Sequence, residues 1–207
     1  EQMVFGDGDD RILNRFTVAM DVVGRGLTHG IIQAEANLVY ENQSGALSES
    51  ISDVFGILAK QYRRQQTVQD SDWLIGAGLF TENVNAQGLR SMRHPGTAYD
   101  DPALCKDPQP THMKDFVVTR QDNGGVHINS GIINRAFYLL AIALGGFAWE
   151  RAGWIWYDAL HDVRLSRHAE FTAFAHLTLT AAQNRYGNPS VEFDATHQAW
   201  KQVWLTL

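Results

Sequence analysis

Apolar residues recur at helical spacing over most of this chain, and a half-buried strand pattern is almost absent, so the fold is mainly α. Phe16, Ala19, Val23, Leu27 and Ile31 place a helix over 15–33, and Leu47, Ile51, Val54, Phe55 and Leu58 place a second over 46–66. Further helices are predicted over about 129–144, 149–161, 168–186 and 190–204, the last two parted by Gly187-Asn188-Pro189. Residues 1–10 read as a hairpin remnant, with Gln2-Met3-Val4-Phe5 running into the Asp7-Gly8 turn. Between the helical stretches, residues 67–126 are irregular and hold four of the five prolines. A loop that long inside a compact unit is functional or stabilised by ions.

The bulk composition narrows the function classes. The net charge is −6 and no run of Lys or Arg exceeds a pair, which argues against a nucleic-acid partner. The longest apolar run, Ala136 to Ala148, is broken by Gly145 and Gly146 and is too short for a membrane span. The one cysteine, Cys105, allows no internal disulfide and lies in a Pro- and Asp-rich loop far from any His-rich motif, so a catalytic thiol is not expected there.

The chemistry is concentrated around His29. A helical zinc peptidase places two imidazoles one turn apart, a glutamate directly after the first as general base, and a third ligand, a carboxylate, from a neighbouring helix. Here His29 has Arg25 one turn earlier, Gly26 after that, and Glu49 near the start of the second helix. Taken alone, Val22-Val23-Gly24-Arg25-Gly26-Leu27-Thr28-His29 is not a metal motif, and His29 reads as a core or helix-face histidine. Gly24, Gly26 and Gly30 weaken the helix by up to about 1 kcal/mol each relative to Ala, so close packing against a further partner is expected.

Three blocks change the weight of that reading. They are Asp21-Val22-Val23-Gly24 with Leu27-Thr28-His29, the stretch from Tyr40-Glu41-Asn42-Gln43-Ser44-Gly45 through Glu49 and Asp53 to Gly56, and Asp122-Asn123-Gly124-Gly125-Val126-His127 running on to Asn134. In order and spacing, with Leu89-Arg90-Ser91-Met92 between the second and third, they resemble the thermolysin-like zinc metallopeptidases. The stretch from Ala136-Phe137-Tyr138-Leu139 to Trp156-Tyr157 resembles the protealysin-like branch most.

The resemblance implies a thermolysin-like C-terminal helical lobe carrying the active-site helix. Residues 1–45 would be the end of the N-terminal lobe and 46–207 the helical domain, with the β-rich N-terminal lobe and its substrate-binding edge strand missing. It also implies roles for individual residues. His29 and Glu49 match zinc ligands, and Asp53 matches the carboxylate that orients the first zinc histidine. His127, oriented by Asp122, and Tyr40 match the donors to the oxyanion, while Arg90 matches the arginine that binds a substrate carbonyl. Leu13, Phe16, Val22 and Leu89 would line a pocket for a large apolar side chain after the scissile bond, with plain core packing as the alternative.

The departures point the other way. Arg25 stands where the first zinc histidine is expected and Gly26 where the general base is expected. A guanidinium stays protonated and has no lone pair for a metal, so Arg25 is expected to fill the metal space and pair with Glu49, Asp53 or both. The family's double calcium site is expected to be lost: Asp21 and Asp72 remain, but Lys60, Leu74 and Ala77 replace acidic positions, and Lys60 would supply the positive charge internally. Asp7-Gly8-Asp9-Asp10 reads as a plain turn rather than an ion loop. Three functions remain open: a silenced zinc endopeptidase, a non-catalytic module that binds a peptide or protein partner, and an enzyme with some other metal geometry. The resemblance favours secretion from a bacterium, with a cytoplasmic location as the alternative.

Overall fold

The structure is a computed structural model of the chain, and it describes residues 2–205. Among these residues six α-helices form the body: α1 Met20–Glu35, α2 Asn42–Arg64, α3 Asp122–Leu144, α4 Ala152–Leu160, α5 Phe171–Tyr186 and α6 Val191–Gln202. Four two-residue strands, β1 Leu74–Ile75, β2 Arg90–Ser91, β3 Asp100–Asp101 and β4 Cys105–Lys106, pair antiparallel as β1 with β2 and β3 with β4. The mainly α expectation holds.

The core lies where α2 and α3 cross and continues into α4, α5 and α6. Leu47, Ile51, Val54 and Ile57 of α2 meet Ile132, Ile133, Ala136, Phe137 and Leu140 of α3 in one buried cluster. Trp156 of α4 stacks on Trp200 of α6 at 5.6 Å between ring centroids, and the Trp200 indole N–H donates to Thr178 Oγ1 at 2.8 Å, so the one polar atom of that buried ring is satisfied. Ser190 caps α6 by accepting the Phe193 N–H at 3.0 Å, with Glu192 and Asp194 in the first turn where the helix dipole favours negative charge.

α1 lies against α2 through glycines. A Cβ on Gly24 would stand 3.2 Å from the Gly56 Cα, and a Cβ on Gly56 would stand 2.5 Å from the Asp21 carbonyl oxygen. The backbones therefore touch at a spacing no side chain permits, and this brings Arg25 and His29 over Glu49 and Asp53. The glycines of α1 do not act as one set. Gly24 packs inside the chain, Gly26 faces Met3 and Phe5, and Gly30 has nothing within 4 Å.

Several boundaries differ from the expectations, each for a local reason. The hairpin expected over residues 1–10 is not a ladder: none of the described residues before Leu13 is in a strand, and Glu1 lies outside the described residues. The Asp9 carboxylate instead accepts the backbone N–H groups of Arg11, Ile12 and Leu13 at 3.1, 2.8 and 2.9 Å, and Leu13 bridges to Phe80. Gly8, at φ +80°, sits so close that a Cβ would be 2.3 Å from the Leu13 carbonyl oxygen, and the Asp9 and Asp10 N–H groups both donate to that same carbonyl. The first helix is split: Phe16–Val18 forms a 3-10 turn, Ala19 is extended, and the Phe16 N–H is drawn off to the Gly6 carbonyl at 3.0 Å. α2 begins at Asn42, earlier than expected, because the Ser44 hydroxyl donates to the Val39 and Glu41 carbonyls and folds the polar run into the first turn. α3 begins at Asp122, earlier than expected, and its first turn winds through left-handed Asn123, Gly124 and Gly125.

Candidate functional site

The site forms where α1, α2 and the left-handed first turn of α3 converge, and Glu49 is its centre. The Glu49 carboxylate is 1% exposed. Its Oε2 accepts a hydrogen bond from the Arg25 guanidinium and lies 3.3 Å from His127 Nε2. Its Oε1 accepts the Tyr40 hydroxyl at 2.5 Å and lies 3.4 Å from His29 Nε2. One carboxylate from α2 thus gathers two residues of α1, the tyrosine that precedes α2, and the histidine of α3.

Asp53, one turn further along α2, is fully buried and carries two guanidinium partners. Arg90 donates from Nε at 2.6 Å and from an η nitrogen at 2.8 Å, Arg25 Nε donates at 3.1 Å, and Asn134 adds an amide N–H at 2.8 Å. Burial alone would raise the Asp53 pKa, but Arg90, and then Arg25 and Asn134, hold it below the ordinary value. The same balance acts on Arg90, which burial would lower and which Asp53 holds above its usual range. Arg25 therefore spans Glu49 and Asp53, pairing with both as its position in the sequence predicted.

The remaining residues take ordered places. His127 Nδ1 lies 2.6 Å from Asp122 Oδ1, and the other Asp122 oxygen accepts the His127 backbone N–H at 2.8 Å, so one carboxylate fixes both ring and backbone. The ring's other nitrogen is 3.2 Å from the Tyr40 hydroxyl. His127 and Tyr40 are open to solvent, 46% and 42% exposed, so the wet side of the cluster is the side that carries these two. Burial first, and then the hydrogen bond to Glu49, push the Tyr40 phenol well above its ordinary pKa. Burial and then the Arg25 charge hold the His29 imidazole below its own. Gly26 offers no side chain, and a Cβ there would stand 2.8 Å from the end of Met3.

Of the four residues expected to line an apolar pocket, Val22 and Leu89 meet across Gly76, where an added Cβ would touch both. Leu13 is tied to Phe80 and Phe16 packs beside Gly6. The positions expected to have lost calcium form a second buried polar centre. Lys60 Nζ donates to Asp21 Oδ2 at 3.1 Å, to Asp72 at 2.8 and 3.1 Å and to the Leu74 carbonyl at 2.9 Å. Burial raises the Asp21 pKa, against the pull of Lys60. Two residues given no role by the sequence support the site. Gln109 donates to the His127 carbonyl at 2.7 Å, and Asn134, at the end of the third block, donates to Asp53 from α3 at 2.8 Å.

Sequence comparison gives the family of the chain. Residues 36–205 match the thermolysin metallopeptidase, alpha-helical domain, and residues 1–33 match the thermolysin metallopeptidase, catalytic domain. The chain belongs to the thermolysin metallopeptidase family, whose members depend on zinc. Within it the chain is similar to an extracellular metalloprotease of Pectobacterium carotovorum subsp. carotovorum, with 58% identity over all of this chain and 59% of that protein. It is 51% identical to the protease PrtS of a Photorhabdus species, over 100% of this chain and 56% of that one. The solved precursor of protealysin, a metalloproteinase from Serratia proteamaculans, superposes with a TM-score of 0.97 at 57% identity, covering 99% of this chain and 63% of that one. The chain thus spans a little over half the length of the curated relatives it matches. Among the described residues no helix is long and apolar enough to cross a membrane.

Proposed function

We propose that this chain carries a peptide-hydrolysing site of the thermolysin type that has been silenced by Arg25 and Gly26. The observation behind the reading is the Arg25 guanidinium, bonded at once to Glu49 and Asp53. Catalytic zinc takes three protein ligands and keeps one position open for water. Here His29 and Glu49 are the two donors left, and the described residues hold no group of three or more His, Cys, Asp or Glu side chains placed to bind an ion. A fixed positive charge beside that pair repels a cation. The donor set does not fit catalytic zinc, and with Gly26 no carboxylate stands beside it to take a proton from water.

The parts that would grip a peptide are in better order. His127, held by Asp122, and Tyr40, whose hydroxyl donates to Glu49, lie on the open side of the cluster, and half-buried Leu89, backed by buried Val22, would offer an apolar contact for a large side chain after the scissile bond. Their order supports a second reading, a pseudo-peptidase that binds a peptide or protein partner without cutting it. Lys60, bonded to both Asp21 and Asp72, takes the place of a calcium ion in this reading. Secretion is proposed from the names of the relatives, extracellular metalloproteases.

The test is hydrolysis of casein or a furylacryloyl peptide, together with zinc content, for the unmodified chain and for the Arg25→His/Gly26→Glu variant. The proposal expects no cleavage and no bound zinc before substitution, and one zinc per chain with measurable cleavage after it. Clear zinc-dependent cleavage by the unmodified chain would overturn the proposal. Saturable peptide binding without cleavage, seen by calorimetry in the absence of zinc, selects the pseudo-peptidase reading.

A further inference from the structure

Away from the Glu49 cluster, a cavity of about 310 Å³ opens between α2 and α4. Leu58 of α2 and Gly153 of α4 are its buried residues. A Cβ on Gly153 would stand 3.0 Å from the end of the Leu58 side chain, so the two helices touch at this floor. The walls are aromatic: Tyr62 on α2, Trp149 just ahead of α4, and Trp154 and Tyr157 on α4. Tyr62, Trp154 and Tyr157 are 61%, 44% and 43% exposed, a concentration of large rings that the described residues leave open to solvent.

Each wall is fixed by groups that do not line the cavity. Phe147 stacks on Trp149 at 4.4 Å between centroids, and Trp149 in turn meets Tyr62 edge-on at 5.4 Å. The Arg185 guanidinium lies 4.5 Å from the Trp154 ring centroid and is itself clamped by the Asp158 carboxylate through hydrogen bonds of 2.7 and 2.8 Å. Tyr157 meets Trp154 edge-on at 5.3 Å and lies 4.1 Å from the His161 ring. The rings are therefore held in place before any ligand arrives, and little side-chain freedom remains to be lost on binding.

Size and charge select the occupant. A protein partner covers about 20–30 residues a side, whereas eight line this cavity, so a small molecule fits and a docked domain does not. No Asp, Glu, Lys, Arg or His lines it, and the guanidinium against its wall is already balanced by Asp158. A charged ligand would give up hydration there without gaining a counterion. An apolar cavity of roughly 150 Å³ takes benzene, so this one has room for a two-ring compound. The wall pairs stand at 83° and 82°, the edge-to-face arrangement that a further aromatic ring can extend. We infer that Tyr62, Trp149, Trp154 and Tyr157 form a binding site for a neutral aromatic small molecule of about the size of indole. The inference is independent of the peptidase reading, since no residue of the Glu49 cluster lines the cavity.

The test is a titration of the full chain with indole, read by the NMR signals of the tryptophan indole N–H groups. The inference expects a saturable one-site shift of the Trp149 and Trp154 signals, with Trp73 and Trp204, which lie outside the cavity, unmoved. Parallel titrations use cyclohexanol, a ring without π electrons, and benzyltrimethylammonium, an aromatic ring carrying a charge; both should bind clearly more weakly than indole. Removing one aromatic wall, by Trp154→Ala or by Tyr157→Ala, should weaken indole binding by about tenfold or more, followed at the Trp149 signal. Trp154→Phe, which keeps a ring at the wall, should fall between Trp154→Ala and the parent. Trp204→Ala, which removes an exposed ring elsewhere, should leave the affinity unchanged. A shift that stays linear without saturating, an affinity for cyclohexanol or benzyltrimethylammonium equal to that for indole, or saturable binding at Trp149 that survives both Trp154→Ala and Tyr157→Ala would overturn the inference.

Discussion

Arg25→Met removes the guanidinium from between two buried carboxylates and leaves everything else in place. Asp53 keeps the two hydrogen bonds from Arg90 and the one from Asn134, so its loss is modest. Glu49 is the exposed party to the change: it keeps Tyr40 at 2.5 Å, and its other neighbours are the imidazoles of His29 and His127 at 3.4 and 3.3 Å. Removing one member of a buried ion pair costs about 3–5 kcal/mol. The Arg25 side chain is 19% exposed and the Tyr40 bond survives, so the expected loss falls just below that range, about 2–3 kcal/mol. For a chain of this size that is a fall in Tm of roughly 5–10 °C. Urea unfolding followed by circular dichroism measures it. The double variant Arg25→Met/Glu49→Gln removes both charges and should recover much of the loss, giving a coupling of about 1.5 kcal/mol or more between the two positions. An Arg25→Met chain within about 0.5 kcal/mol of the parent, or two substitutions that simply add, would refute the view that Arg25 neutralises Glu49.

Three other outcomes follow from the same geometry. Gly56→Ala puts a Cβ 2.5 Å from the Asp21 carbonyl, so α1 must lift from α2 at a cost of about 2 kcal/mol or more, visible as a lower urea midpoint; an unchanged midpoint would contradict the close crossing. Lys60→Met strands buried Asp21 without a cation and should destabilise by about 3 kcal/mol, while the parent should show the same Tm with and without a calcium chelator. Asp9 has its pKa lowered from 3.8 to about 2 by the N–H groups of Leu13, Ile12 and Arg11. Its contribution to the Arg11–Leu13 turn is thus complete above 3.8 and is lost as pH falls through about 2, so an NMR titration of the Asp9 carboxyl with a midpoint near 4 would contradict the turn.

What the sequence disclosed and what it hid divide along physical lines. Periodicity located α2 through Leu47, Ile51, Val54 and Leu58, because burial of one helical face leaves a pattern that a single chain shows. It could not find β1 to β4, since two-residue ladders hold too few positions to show alternation. α3 starts at Asp122, ahead of the expected 129, through left-handed Asn123, Gly124 and Gly125, and that depends on backbone torsions rather than on polarity. The pairing of Arg25 with Glu49 and Asp53 was legible because a guanidinium beside buried carboxylates has few alternatives. The partner of Gly24 was not legible: the sequence asked for close packing, but that the neighbour is Gly56 is a property of the helix crossing. Nor did it disclose that Arg90 is tied to Asp53 by two hydrogen bonds, since Arg90 and Asp53 are far apart in the chain and neither belongs to the other's motif.

The central claim is that a guanidinium fills the place where a metal would sit. Zinc content by mass spectrometry, after the unmodified chain is equilibrated with zinc and freed of loosely held ions, tests it most directly. The account predicts far less than one zinc per chain, and a stoichiometric zinc ion held by His29 and Glu49 with Arg25 turned away would contradict it.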